Sequence, residues 1–253
     1  MTSAARPPLR FSGARDVRAR LVLATLARRP VEIRRIRADA ERPGLRKDEA
    51  SFVRLLDKLT SGSRISIDET GATLRYAPGS LTGGPVEHDC GPSGRPVGWF
   101  LAALLPLAPF GARPLSLTLT GKTCGDRGAR SADALARCAV PLLKAFGCAG
   151  AALELGRREA PGADRSAAGY MPGRATLRCP AVRALEPVQL GAPGPAERIR
   201  GVARAARAAL FCFSRCRLPS RRGVAAASSR CRVAASFRFR GDAAVPVSPL
   251  AAA

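Results

Sequence analysis

Residues 18–60, RARLVLATLARRPVEIRRIRADAERPGLRKDEASFVRLLDKLT, set two amphipathic helices, a basic strand and a Pro-Gly-Leu corner end to end with almost no spacer. So tight an order needs a sheet for the helices to lie on, since each has one apolar stripe to bury. The clearest stripe lies in residues 47–61, where Phe52, Leu55, Leu56 and Leu59 fall at i, i+3, i+4 and i+7. Gly62 is the expected left-handed stop of that helix. Upstream, residues 16–28 put Val17, Leu21, Ala24 and Arg28 on one side, with Asp16 as the expected N-cap and Pro30 as the terminator. Val31, Ile33 and Ile36 read as a strand whose outward positions are Arg34, Arg35 and Arg37. Ile65 and Ile67, a turn at Glu69-Thr70-Gly71 and residues 72–76 read as a hairpin. With a short strand near residues 9–11, the unit is β-α-β-α-β-β.

The order then repeats. Residues 96–107 are an apolar helix and 115–119 an alternating strand. Residues 131–146 are a helix capped at Ser131, with Leu135, Cys138, Leu142 and Ala145 on one side. Residues 151–155 and 175–179 are paired strands. Leu55-Leu56-Asp57-Lys58-Leu59 and Leu142-Leu143-Lys144-Ala145-Phe146 hold matching places in the two units. The expected fold class is therefore α+β, built from repeated β-α-β-α-β-β units. The expected boundaries are 1–84 for the first unit, 85–185 for the second, 186–202 for the start of an inserted domain and 203–253 for a tail. The tail holds 15 alanines and no sustained apolar face, and it reads as disordered.

The chain has 253 residues, with 42 Lys and Arg against 19 Asp and Glu, a net charge of +23. Residues 201–253 contribute ten Arg and one Asp, a net +9, which leaves +14 on the body. A basic body of this size favours a polyanion partner, with nucleic acid first. Its alternative is a solvated basic face. The longest apolar run, 97–110, falls short of the ~20 residues a membrane-spanning helix needs. No membrane partner is expected. Eight cysteines form no paired framework. Cys212, Cys216 and Cys231 lack a fourth ligand for tetrahedral zinc, so no metal is expected.

The 18–60 block, YAPGSLTGGPVEHDC at 76–90, LAPF at 107–110 and Arg198-Ile199-Arg200-Gly201 together resemble the RNA 3′-terminal phosphate cyclase-like proteins of ribosome assembly. These are the non-cyclising relatives of the RNA phosphate cyclases. The resemblance runs from about Phe11 to about Val202 and then stops. The family's C-terminal part is missing from it, which points to a truncated form of the cyclase-like α/β prism. The resemblance implies a nucleolar protein of small-subunit ribosome biogenesis. Its implied partners are pre-ribosomal RNA, the U3 small nucleolar RNA particle and a ribosome-assembly GTPase. The alternatives are an ATP-dependent RNA 3′-terminal phosphate cyclase and an inert truncated isoform.

Catalysis is not expected, and neither is a cofactor. The cyclases hold ATP with a Gly-Glu-Gly-Gly-Gly-Gln loop. Here the matching residues are Arg10-Phe11-Ser12-Gly13-Ala14-Arg15, without the carboxylate or the glycine run that lets backbone N–H groups approach phosphate. The cyclase nucleophile belongs to the missing C-terminal part, and the one histidine, His88, reads as a structural residue of its own loop. By the resemblance, Arg18 and Arg37 match arginines that contact the nucleotide in cyclases, whereas the next such arginine falls on Ala40. Arg20, Arg42 and Arg46 add charge around the Pro43-Gly44-Leu45 corner. These five arginines are the expected RNA-phosphate contacts, because the guanidinium fork suits phosphate oxygens.

Overall fold

The computed structural model describes residues 7–124, 130–159, 171–189 and 191, together with the backbone of 198–203 and 212–217. The chain divides into two compact units, residues 1–189 and 190–253. The first unit runs β1 (Leu9–Ser12), α1 (Val17–Ala27), β2 (Val31–Arg34), α2 (Lys47–Leu59), β3 (Thr60–Ser61), β4 (Arg64–Ile67), β5 (Leu74–Ala77) and β6 (Ser80–Leu81). It continues with β7 (Gly84–Asp89), α3 (Val97–Leu104), β8 (Leu115–Gly121), α4 (Ala132–Ala145), β9 (Ala152–Leu155) and β10 (Gly173–Cys179).

Two four-stranded sheets result, with orders β1-β2-β5-β4 and β7-β8-β10-β9. Both are mixed in the same way. The first two strands of each are parallel, β1 with β2 and β7 with β8, and the remaining pairs are antiparallel. A parallel pair needs a crossover, and α1 and α3 supply it. Period-2 alternation then sends Val31, Ile33, Leu74 and Tyr76 inward from one sheet, and Leu115, Leu117, Leu119, Ala175 and Leu177 inward from the other. The fold is α+β, and its element order repeats.

The helices bury their stripes between the sheets. Phe52, Leu55, Leu56 and Leu59 are all buried, as their spacing requires. The Phe52 ring meets Trp99 edge-on at 6.0 Å, and Trp99 meets Phe100 at 4.9 Å, so α2 and α3 share one aromatic cluster. Helix α2 also packs on β7, and α1 on α3.

Five local expectations are corrected. Asp16 is left-handed at φ 52° and makes no capping hydrogen bond; its carboxylate lies by Arg15 in solvent. The strand after Pro30 ends at Arg34, because Arg35 and Arg37 both turn left-handed and start the corner; Ile36 is buried outside the ladder. Gly62 does not stop α2. The helix ends at Leu59, since Thr60 and Ser61 extend to pair with Leu81 and Ser80; Gly62, at φ +78°, turns the chain into β4. In α4 the buried stripe is Ala132, Leu135 and Val140, flanked by Ala139 and Leu143, while Cys138 and Leu142 face solvent. Pro141 sits on that wet side, where solvent can satisfy the carbonyl that its missing N–H leaves free. The fifth correction lies in the second unit. Cys212–Arg217, inside the stretch expected to be disordered, is a strand (β12) paired antiparallel with β11 (Arg198–Ala203). It needs no sustained apolar face, because a two-stranded ladder is held by backbone bonds. The rest of the expected tail lies outside the described residues.

Candidate nucleic-acid interface

The Pro43-Gly44-Leu45 corner is rigid because of what it touches. Gly44 has φ +88°, and a Cβ there would come within 2.4 Å of the Thr70 carbonyl oxygen, so only glycine fits. The Gly44 N–H donates to the Ile36 carbonyl at 2.9 Å, and the Leu45 N–H to that of Gly71 at 3.1 Å. The corner is thereby tied to the β4–β5 turn.

Of the five expected arginines, three have protein partners. The Arg37 guanidinium grips the Glu49 carboxylate with both ends, at 2.5 and 2.8 Å, and also donates to the Gly44 carbonyl at 2.9 Å. Glu49 in turn accepts the Arg46 backbone N–H at the start of α2, at 2.9 Å. Arg37 is held above the usual arginine range, first by that carboxylate bond. Arg18 lies over the Trp99 ring, 3.8 Å from its centroid, and donates to the Trp99 carbonyl. Burial and the nearby Arg95 push its pKa down. Arg95 itself donates to Asp48 at 2.8 Å. Arg20 is half-buried, donates to the Gly13 carbonyl at 3.0 Å and covers the Phe11 ring. Arg42 and Arg46 are exposed. The five are therefore not one patch: Arg18 and Arg37 lie in the packing around the start of α2, and Arg42 and Arg46 flank the corner outside it.

The first half of the segment matched to the cyclase phosphate loop, residues 10–12, is strand. β1 reaches Ser12, and the Gly13 N–H closes on the Arg34 carbonyl at 2.9 Å. His88 is buried on β7 beside Phe100, and its Nε2 lies 2.9 Å from the Ser51 Oγ of α2. Loss of solvent, then the Lys58 charge, push its pKa to about 4; Asp89 pulls the other way and Arg54 adds the smallest push down. His88 thus joins the two repeats as a neutral ring. Neither neighbour orients it: Glu87 faces Arg174 at 3.1 Å, and Asp89 takes the Gly91 N–H at 2.8 Å.

One basic surface was not among the expected residues. The outer face of β1-β2-β5-β4 carries Arg10, Arg34, Arg75 and Arg64 around a single buried carboxylate, Glu32. Arg75 donates to it at 2.8 Å, with Arg34 at 2.9 Å and Arg10 at 3.5 Å. The Arg75 hydrogen bond first, then that of Arg34, hold Glu32 below the usual carboxylate range. The signal was present in the alternation: each of these residues neighbours an inward apolar position on its strand.

A family model for RNA 3′-terminal phosphate cyclase matches residues 9–249, and the chain belongs to that family. The match continues past Val202, where the motif-level resemblance ends. The RNA 3′-terminal phosphate cyclase-like protein of Mus musculus is 50% identical over 198 residues, 77% of this chain and 50% of the mouse protein. The protein of the same description from Homo sapiens is 48% identical over the same shares. The rRNA processing protein rcl1 of Schizosaccharomyces pombe is 39% identical over 202 residues, 78% of this chain and 53% of the yeast protein. The chain spans about half the length of the curated relatives it matches.

Proposed function

We propose that this chain is a non-catalytic, cyclase-like protein of small-subunit ribosome biogenesis, acting in pre-ribosomal RNA processing by binding RNA and assembly factors. Its relatives' names supply the process. The observation that carries the non-catalytic reading is the fate of Arg18 and Arg37. The two residues matched to nucleotide-contacting arginines grip Trp99 and Glu49, which leaves less of their donor capacity for a phosphate. The working places are the nucleus and nucleolus. The partners are pre-ribosomal RNA, the U3 small nucleolar RNA particle and a ribosome-assembly GTPase. Arg42 and Arg46 at the corner, and Arg20 in part beside Gly13, remain the phosphate contacts, with affinity drawn from charge and little base information.

Two measurements test this. The full chain, incubated with ATP and an RNA bearing a 3′-phosphate, is expected to leave the end unchanged; formation of a 2′,3′-cyclic phosphate overturns the non-catalytic reading. Recovered from nucleoli, the chain is expected to carry pre-ribosomal RNA above the level of a charge-matched control, and RNA at control level overturns the binding role.

A further inference from the structure

The outer face of the first sheet has the properties of a preorganised phosphate surface. Arg10 and Arg34 sit on β1 and β2, Arg75 on β5 and Arg64 on β4, so the four span the full width of the sheet. Neighbouring strands lie ~4.8 Å apart, which spaces the guanidinium groups across a shallow hollow of about 430 Å³. One carboxylate cannot neutralise four cations, so the face keeps a net charge of three. Glu32 does something else. It is 4% exposed, and Arg75, Arg34 and Arg10 converge on it with one nitrogen each, while their side chains stay 51–72% exposed. Each guanidinium has five N–H donors. The contacts to Glu32 therefore fix the heads and leave further donors pointing to solvent. Arg64 has no ion-pair partner among the described residues.

The second sheet is the internal control. Its outer face pairs Glu87 with Arg174 at 3.1 Å and Glu154 with Arg178 at 2.7 Å, and fills the middle with Thr118 and Thr176. With Asp89 also outward on β7, that face holds three acids against two arginines, a net charge of −1. An unbalanced cationic face on one of two sheets of equal topology is thus not a general property of the outer surfaces.

We infer that the outer face of β1-β2-β5-β4 binds the phosphate backbone of RNA through Arg10, Arg34, Arg64 and Arg75. The inference rests on the RNA-binding reading above and adds a surface that reading did not contain. It commits to RNA and not to an acidic protein segment because planar forks held apart by fixed spacing suit successive phosphates. The face offers no aromatic ring to a base: Tyr76 turns inward, with its hydroxyl 2.9 Å from Thr25 Oγ1. Recognition there is of backbone, without sequence preference.

The test uses the full chain and a labelled single-stranded oligouridylate, with affinity read from low to physiological salt. The variant Arg10→Gln/Arg34→Gln/Arg64→Gln leaves Arg75 on Glu32. It is expected to reduce the slope of log affinity against log salt by about 2, at ~0.7 per lost single-strand contact. The control Arg174→Gln/Arg178→Gln is expected to leave the slope unchanged. Every variant keeps the basic tail, so differences in slope read the sheet face alone. An unchanged slope in the triple variant, with wild-type chain binding normally, overturns the sheet face and leaves the RNA-binding reading standing. Absence of salt-dependent binding by the wild-type chain overturns both. Equal competition by polyglutamate at matched charge overturns the choice of RNA. Should the triple variant melt early, Arg64→Gln alone replaces it, with an expected loss of ~0.7 in slope. Photocrosslinks from 4-thiouridine RNA then decide: peptides from β1, β2, β4 and β5 support the face, and their absence among crosslinked peptides overturns it.

Discussion

In the sheet β1-β2-β5-β4 the outward positions hold four arginines and one glutamate, whereas in β7-β8-β10-β9 they hold two Glu–Arg pairs, Asp89 and threonines. Strand order and the pattern of parallel and antiparallel pairs are the same in both. Topology therefore follows from the inward set, which is apolar in each, and the outward set is free to diverge. The helices diverge for another reason. Helix α2 is covered on several sides, by β7, by α1 and by the aromatic rings of α3. Helix α4 packs on α3 and β9 and leaves a side open. An amphipathic pattern says that a helix has a stripe to bury. How far around the helix burial extends depends on which neighbours the fold supplies.

The largest expected contrast is between the matched leucines. Leu55 is fully buried and Leu142 is 47% exposed. Leu55→Ala should cost about 2–5 kcal/mol, as core leucine truncations do. Leu142→Ala should stay within about 0.5 kcal/mol. Reversible denaturant melts of the two variants measure both. Equal losses would mean that α4 is covered as fully as α2, and the asymmetry between the repeats would fall.

A second contrast concerns the acids in the first turns of α2 and α4. Glu49 and Arg37 form a largely buried bidentate pair, with side chains 10% and 16% exposed. Asp133 and Arg158 form a pair at 2.5 and 2.9 Å that is more open to water. Arg37→Gln should destabilise by about 1–3 kcal/mol, the range for hydrogen bonds to charged groups. Arg158→Gln should cost under about 1 kcal/mol. Arg37→Gln should also leave the salt dependence of RNA binding unchanged in a folded chain. A reduced slope would return Arg37 to the list of phosphate contacts.

His88 carries a pH test of the join between repeats. Its pKa falls from 6.5 to about 4 on folding, through burial first. The unfolded chain therefore binds more protons than the folded one between those values. The stabilisation from the neutral ring is fully present above pH ~6.5 and is lost as pH falls toward ~4. Carboxylates titrate in the same range, so the readout is a difference: His88→Gln should flatten the loss of stability on acidification relative to wild type. Parallel pH curves would mean that the ring is solvated and does not bridge to Ser51.

Much of this fold was legible because periodicity reports which side of an element is buried. The β-α-β-α-β-β order, the α2 stripe and the pairing of β9 with β10 all follow from spacing. Where a stripe was ambiguous by one step, as at Leu142 and Leu143, only the neighbour decides, and no local pattern names the neighbour. The arginine site was less legible. Arg37 and Arg42 are both basic residues near the corner in sequence, but Arg37 lies next to Glu49 in space, from another element. The outer face of the first sheet was open to reading from alternation alone, since Arg34 already stood opposite Ile33. What hid it was the distance in sequence between Arg10, Arg34, Arg64 and Arg75, which only strand order brings together. The strand Cys212–Arg217 escaped because an apolar face is not what forms it.

The smallest contrast lies at the helix starts. Ser131 caps α4, its Oγ accepting the Ala134 N–H at 3.2 Å. Asp16 precedes α1 in a left-handed conformation and accepts no such bond. The two read alike in sequence, since either residue type can satisfy a free N–H of the first turn. Their backbones separate them: an extended φ, −66° with ψ 155° at Ser131, aims the side chain back over the first turn, and the left-handed φ of Asp16 aims it away. Ser131→Ala should therefore cost about 1 kcal/mol. Asp16→Gly should be neutral within about 0.5 kcal/mol, because glycine enters the left-handed region without strain and no cap bond is lost. A loss at Asp16 as large as that at Ser131 would show that its carboxylate does reach the first turn of α1, and that the two helices begin in the same way.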